Sequence, residues 1–143
     1  MEPLFTPWNN ELDIVLRLIT VAILSGLIGY ERGRREKPAG PRTHLLVGVG
    51  AATFTIVSLY GFGSTEAVDL SRVAAGVVVG MGFLGAGTIL HSELGVRGLT
   101  TAATLWSVAA IGLAAGTGLY ILAIVTAAIV MIALRLLRRS IDN

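Results

Sequence analysis

Charged side chains near the ends of apolar segments are the residues of this chain that could do chemistry. Asp13 and Arg17 are four residues apart, so they can pair on one face of a helix, and Asp69 lies three residues before Arg72. Carboxylates are also ligands for Mg²⁺, which commonly uses one or two of them and keeps several waters. Asp69 with Glu66 or Asp13 could therefore hold magnesium, although both arginines would compete for these acids. We call Asp13, Arg17, Asp69 and Arg72 the outer polar cluster.

A second group of charges lies in and around the basic stretch ERGRREKPAGPR, residues 31–42. We call it the inner polar cluster, and its members are Glu31, Arg32, Arg42, His44 and Arg97, joined by His91 and Glu93. Two interpretations of both clusters stay open: charge-paired caps that anchor helix ends at the membrane interface, or a ligand or regulatory site. The two histidines are too far apart in sequence to predict a zinc site. No Ser-His-Asp arrangement is evident, so we expect a protein that is not an enzyme.

The composition is that of a membrane protein. The chain has 143 residues, of which 54% are hydrophobic, and its mean hydropathy is +0.78. Long apolar runs of about 18 or more residues predict membrane spans. Cysteine is absent, which excludes disulfides, thiol catalysis and cysteine metal sites. The net charge is only +2, and the basic residues cluster beside spans, so no nucleic acid partner is expected.

The elements that must position these charges are five predicted spans. They cover residues 12–30, 43–60, 72–90, 99–115 and 119–134 of one transmembrane domain, residues 1–143. The predicted fold is an all-α bundle of five transmembrane helices. Residues 31–42, the short loop 91–98 and the C-terminal tail carry nine of the eleven basic residues. The positive-inside rule then predicts an N-terminus outside and a C-terminus in the cytoplasm.

The third span stands out because it contains five glycines, which lie on two sides of a helix. They are Gly76, Gly80, Gly82, Gly85 and Gly87. Small residues let membrane helices approach closely, so we expect this span at the centre of the bundle, with protein on both sides. Trp106 in span four is expected to pack between small-faced helices. The small-residue surface exceeds what five helices need, which predicts a homodimer or another homo-oligomer.

One motif inside this span invites a different interpretation. Gly80-Met-Gly82-Phe-Leu-Gly85 matches G-x-G-x-x-G, a fingerprint of dinucleotide-binding proteins. That fingerprint requires a preceding strand and an acidic residue about 20 residues later. Here the glycines lie inside an apolar helix and the later region is apolar, so nucleotide binding is not predicted.

Three long motifs occur in order: LIGYERGRREKPAGPRTHLLVGVGAA, DLSRVAAGVVVGMGFLGAGTIL and VRGLTTAATLWSVAAIGLAAGTG. Together they resemble the MgtC/SapB family of bacterial membrane proteins. The resemblance implies an inner-membrane protein of about five spans that is linked to growth in low magnesium and, in some pathogens, to virulence. Many members carry a soluble C-terminal domain. Since this chain ends at Asn143, we expect the short form, with the transmembrane domain only.

Two functions are compatible with this resemblance. No acid, His or Lys lies in the middle of a predicted span, whereas such groups usually mark ion pathways. We therefore expect a non-enzymatic inner-membrane protein that acts in adaptation to low magnesium or in regulation through membrane partners. The alternative is a magnesium transporter or channel component that works as an oligomer. We expect no cofactor other than magnesium. The expected partners are the lipid bilayer, further copies of the chain and another membrane protein.

Overall fold

The computed structural model describes residues 7–61, 69, 71–92 and 95–139. It contains five helices and a small hairpin, in the order α1 Pro7–Gly33, α2 Pro41–Tyr60, α3 Ser71–Ala86, β1 Leu90–Ser92, β2 Gly95–Arg97, α4 Leu99–Gly116 and α5 Tyr120–Arg139. The five predicted helices are thereby confirmed. Three segments, in α1, α2 and α4, are long and apolar enough to cross a membrane. By the same measure α3 and α5 are shorter apolar helices.

The segment after α3 differs from the prediction. The third span was expected to reach Leu90 and to be followed by a plain loop, but α3 ends at Ala86. The hydroxyl of Thr88 donates to the carbonyl of Gly85, 2.8 Å away, and closes the end of the helix. Residues 90–92 and 95–97 then pair as antiparallel strands. Gly98 turns the chain into α4 with φ +89°, and a Cβ at this position would collide with the Thr88 carbonyl.

The centre of the bundle is α4, which contacts each of the four other helices. Its buried residues, which include Val108, Ile111 and Ala115, cover the helix except for an exposed stripe through Ala103 and Trp106. They pack with buried residues from α1, α2 and α5. A helix that is apolar all round is expected at such a buried position. The central position predicted for the third span therefore belongs to the fourth.

Most of α3 lies at the periphery. Val79 is 76% exposed and Phe83 is 81% exposed. A Cβ added at Gly76, Gly80 or Gly82 would meet no atom within 4 Å. A Cβ on Gly85 would lie 3.5 Å from the Ala102 Cβ of α4, and one on Gly87 would meet only carbonyls of its own turn. Trp106 is 52% exposed and does not pack between helices as predicted.

Two glycines of α4 let this helix approach α2 closely. A Cβ on Gly112 would collide with the Gly48 carbonyl and lie 2.8 Å from the Ala51 Cβ. One on Gly116 would lie 2.7 Å from the Thr55 Cβ. The two backbones are thus in direct contact, which is the arrangement that small residues permit in membrane bundles.

The contact at Gly112 leads to a stability prediction. Gly112→Ala should destabilise the fold by about 1–3 kcal/mol, because its methyl group would overpack the seam between α2 and α4. Gly82→Ala is the matched control, since it adds the same methyl group where nothing lies within 4 Å. Unfolding in mixed micelles by added dodecyl sulfate, followed by circular dichroism, measures both. Equal effects of the two substitutions would show that the seam is not closely packed.

Candidate functional site

Arg17 and Asp13 of the outer polar cluster come together as an ion pair on α1. The hydroxyl of Tyr120 donates to Asp13 Oδ1, 2.7 Å away, and Arg17 Nη1 donates to the carbonyl of Gly116 at 2.7 Å. The Arg17 guanidinium also lies 5.6 Å from the centre of the Tyr60 ring, a cation–π contact. We call these five residues the Arg17 cluster. It joins α1, α2, α4 and α5 at one end of the bundle.

The position of Arg17 follows from the chemistry of a helix end. Gly116 is the last residue of α4, where carbonyls lack partners within the helix and the helix dipole favours a cation. Gly118, with φ +84°, then reverses the chain into α5. Arg17 therefore caps α4, and Asp13 balances its charge. The carboxylate of Asp13 is thus bound to Arg17 and Tyr120, and these bonds hold α1 against α5.

Asp69 and Arg72, the other two members of the outer polar cluster, are not joined by an ion pair in the described part of the chain. Asp69 Oδ1 accepts hydrogen bonds from the backbone N–H of Ser71 at 2.9 Å and from its hydroxyl at 2.6 Å. Asp69 thus caps the start of α3. No hydrogen bond or ion pair among the described residues joins it to Asp13 or Arg17.

The predicted magnesium ligands are Asp69 with Glu66 or Asp13. Glu66 lies outside the described residues. Within residues 7–61, 69, 71–92 and 95–139, no three His, Asp or Glu side chains are grouped so as to hold a metal ion. The magnesium site therefore stays a prediction.

At the other end of the bundle, Arg32 and His44 of the inner polar cluster are buried, with 5% and 0% of their surface exposed. Arg32 Nη2 donates to the Thr101 hydroxyl of α4 at 3.1 Å. His44 Nδ1 lies 2.9 Å from the Gly40 carbonyl, which can only accept, so this nitrogen carries the proton. His44 Nε2 is buried and has no hydrogen-bond partner among the described residues. We call this end of the molecule the basic end.

The remaining inner residues divide into one buried acid and several exposed groups. Glu31 is buried and pairs with Arg35, one turn along α1, and with Arg135 of α5 at 3.6 Å. The exposed ones are Arg42, His91 and Arg97. Glu93 lies outside the described residues. Among the residues that are described, Arg42 and Arg97 form no ion pair.

Sequence reasoning missed the contacts that join residues far apart in the chain. Tyr120, Tyr60 and Gly116 meet Arg17 only because four helices converge at one end, and no local spacing indicates this. Arg135 reaches Glu31 for the same kind of reason. A weak signal was available for Tyr120, since a tyrosine at the start of an apolar helix commonly places its hydroxyl at a polar interface.

The Arg17 cluster predicts coupling between α1 and α5. Asp13→Ala and Tyr120→Phe should each destabilise the bundle, and the double variant should lose less than the sum, by about 0.5–3 kcal/mol, because both remove the same hydrogen bond. Dodecyl sulfate unfolding of the parent, the two single variants and the double variant gives the four free energies of a double-mutant cycle. Asp13→Ala with Tyr30→Phe is the control pair, since Tyr30 lies at the other end of α1, and it should be additive. Additive losses in the first cycle would contradict direct bonding.

The cap at Asp69 predicts a dependence on pH. The Ser71 side-chain hydrogen bond, and then the Ser71 backbone bond, lower the pKa of Asp69 below its usual value. Because the native pKa is depressed, the cap stabilises α3 above the unfolded pKa of about 3.9 and is lost as pH falls through the native value. Ser71→Ala should raise the Asp69 pKa in a carboxyl-carbon NMR titration. Arg72→Gln removes a weaker cause of the lowered pKa and should raise the Asp69 pKa less. A larger rise in Arg72→Gln than in Ser71→Ala would refute the cap.

Comparison with known proteins identifies the family. The MgtC family profile matches residues 18–142. YhiD of Escherichia coli (strain K12), whose assigned name proposes a magnesium transporter, is 50% identical over 117 residues, or 78% of this chain and 54% of YhiD. Protein MgtC of Brucella abortus (strain 2308) is 48% identical over 112 residues, or 78% of this chain and 46% of that protein.

The chain is also similar to a third relative, and it matches only part of each of the three. Protein MgtC of Salmonella typhimurium (strain 14028s / SGSC 2262) is 43% identical over 126 residues, or 88% of this chain and 53% of that protein. The chain spans about half the length of these relatives. No solved structure matches it significantly. The predicted resemblance is confirmed, and this chain belongs to the MgtC family.

Proposed function

We propose that this chain is a non-enzymatic inner-membrane domain that supports bacterial adaptation to low magnesium by regulating membrane partners. It does not conduct magnesium itself. The observation that carries this proposal is the direct contact of α2 with α4 at Gly48 and Gly112, where even a Cβ atom would collide. A seam closed at backbone distance leaves no path for a hydrated cation between α2 and α4.

Charge at the basic end supports the same proposal. Arg32 lies buried in α1 and bonds to Thr101 of α4, so a fixed positive charge stands where these two helices meet. A cation that entered between them would meet repulsion in a medium of low dielectric constant, where charges interact strongly. The buried acid Glu31 is already bound to Arg35 and Arg135.

The orientation and assembly belong to the proposal as well. The basic end would face the cytoplasm, because nine of the eleven basic residues lie in segments 31–42, 91–98 and the C-terminal tail. This orientation places the N-terminus outside and the C-terminus in the cytoplasm. The chain would act as a homodimer or another homo-oligomer, or with a different membrane protein.

Magnesium transport is the second candidate function, and the name of the relative YhiD favours it. Transport would need a path between copies of the chain, since α2 and α4 close the seam within one copy. Asp69, at the start of α3, would be an acid available at such an interface, because its carboxylate is exposed.

A flux measurement separates the two functions. Purified protein is reconstituted in vesicles that contain a magnesium-sensitive dye, and an inward magnesium gradient is applied. We expect influx equal to that of empty vesicles. The same gene, returned to a bacterium from which it was deleted, is expected to restore growth in low magnesium.

Two controls make the flux result decisive. Gly112→Leu, which cannot pack the seam, reports nonspecific leakage caused by poorly folded protein. An ionophore shows that the dye responds. Saturable magnesium influx above the empty vesicles and above Gly112→Leu would overturn the regulatory proposal in favour of transport.

A further inference from the structure

An open apolar groove of about 560 Å³ lies between α2 and α3. Both helices pack on α4, and the space left between them is lined by Leu46, Gly50 and Phe54 of α2 and by Gly76, Gly80 and Leu84 of α3, among others. A Cβ at any of the three glycines would meet nothing within 4 Å. The groove is therefore an open depression in an apolar surface, and in a bilayer an apolar group would fill it.

The start of α2 places polar donors one turn from this groove. Arg42 lies four residues before Leu46, and Thr43 lies four residues before Val47, which also lines the groove. Residues four apart share one side of a helix. Arg42 and Thr43 are both exposed, and within the described residues Arg42 forms no ion pair. A cation and a hydroxyl are thus free to bind an anion beside the groove.

The electrostatics at the start of α2 favour that anion. The cap residue Gly40 has no side chain with which to bond the first turn of the helix. Helix N-termini attract phosphates through their free N–H groups and their dipole. The other end of the groove differs, because the exposed carboxylate of Asp69 caps the start of α3 there and adds a negative charge near Arg72. Among the described residues, therefore, only the Arg42 end of the groove complements a negative group.

The dimensions of the groove suit one lipid rather than a spanning helix. From Arg42 to Phe54 the α2 helix rises about 18 Å, at about 1.5 Å per residue. One leaflet with its interfacial layer is about 20–22 Å deep, half of a bilayer about 40–45 Å thick. A helix from a second copy would need a groove along the whole hydrocarbon core, about 30 Å.

We propose that this groove binds one acyl chain of an anionic glycerophospholipid, whose phosphate is held by Arg42 and Thr43. The lipid is a specific component of the fold, distinct from the surrounding bilayer. It fills the space over Gly50, Gly76 and Gly80, which no other part of the described chain uses.

A single-tryptophan reporter tests the proposal. Phe54→Trp places the probe in the groove wall, with Trp8→Phe and Trp106→Phe removing the native signals. The protein is reconstituted in phosphatidylcholine vesicles with small fractions of phosphatidylglycerol or phosphatidylcholine brominated at the same acyl positions. We expect phosphatidylglycerol to quench at least about fivefold more efficiently, the factor expected from one arginine near an anionic lipid.

Two pairs of variants test separately the phosphate site at Arg42 and the acyl-chain groove. Arg42→Gln should bring the quenching by the two lipids to the same level, whereas Arg72→Gln, at the opposite end of the groove, should leave the preference unchanged. Gly80→Leu should fill the groove and weaken quenching by both lipids several-fold. Gly82→Leu, which adds the same side chain two residues away and outside the groove, should leave it unchanged. Circular dichroism checks that each variant is folded.

Several results would overturn the proposal. Equal quenching of the parent reporter by the two lipids would show that the groove does not prefer an anionic lipid. A preference that is lost in Arg72→Gln alone would show that the phosphate binds at the opposite end of the groove. Quenching by neither lipid, with fluorescence that depends on the protein-to-lipid ratio, would show that a second copy fills the groove. If Gly80→Leu fails to fold, the two arginine variants decide, because both side chains are exposed.

Discussion

The backbone contact of α2 with α4 is the constraint on which the rest of this bundle depends. Gly112 and Gly116 of α4 bring the two helices to a separation that no larger residue permits, and α1, α3 and α5 also contact α4. Lipid offers little hydrophobic driving force for helix association, so such contact, with its dispersion energy, is a main source of stability in membranes. The same contact closes the centre of the chain, which is why the proposed function is regulation and not conduction.

Charge is confined to the two ends of this closed unit and is used there to fasten helices. At one end Arg17 bonds the last carbonyl of α4 and pairs with Asp13. At the basic end Arg32 bonds Thr101, and Glu31 holds Arg135 of α5. A buried charge is expensive unless it has partners, so each of these bonds specifies which helix ends meet. What remains for binding is the exposed surface, where the groove beside α3 and the donors at the start of α2 lie.

The sequence predicted local features well and long-range features poorly. The number and order of helices followed from the length of the apolar runs, and the Asp13–Arg17 pair followed from a spacing of one helical turn. The end of α3 was missed because residues up to Leu90 remain apolar, although the Thr88 bond to Gly85 closes the helix. The central position was assigned to the wrong helix because glycine spacing shows that close approach is possible, but not which neighbour approaches. That choice depends on how all five helices pack.

The hub of the bundle is α4 rather than the glycine-rich α3, and this arrangement places Gly85 on the side of α3 that faces α4 and Gly82 on a side that faces away. Cysteine cross-linking in membranes tests it most directly, because the chain contains no cysteine of its own. A Cβ on Gly85 lies 3.5 Å from that of Ala102, within the range that a disulfide requires. Oxidation should join Gly85→Cys to Ala102→Cys within one chain and leave the pair Gly82→Cys and Ala102→Cys reduced. Equal cross-linking of both pairs, or of the second alone, would contradict this arrangement.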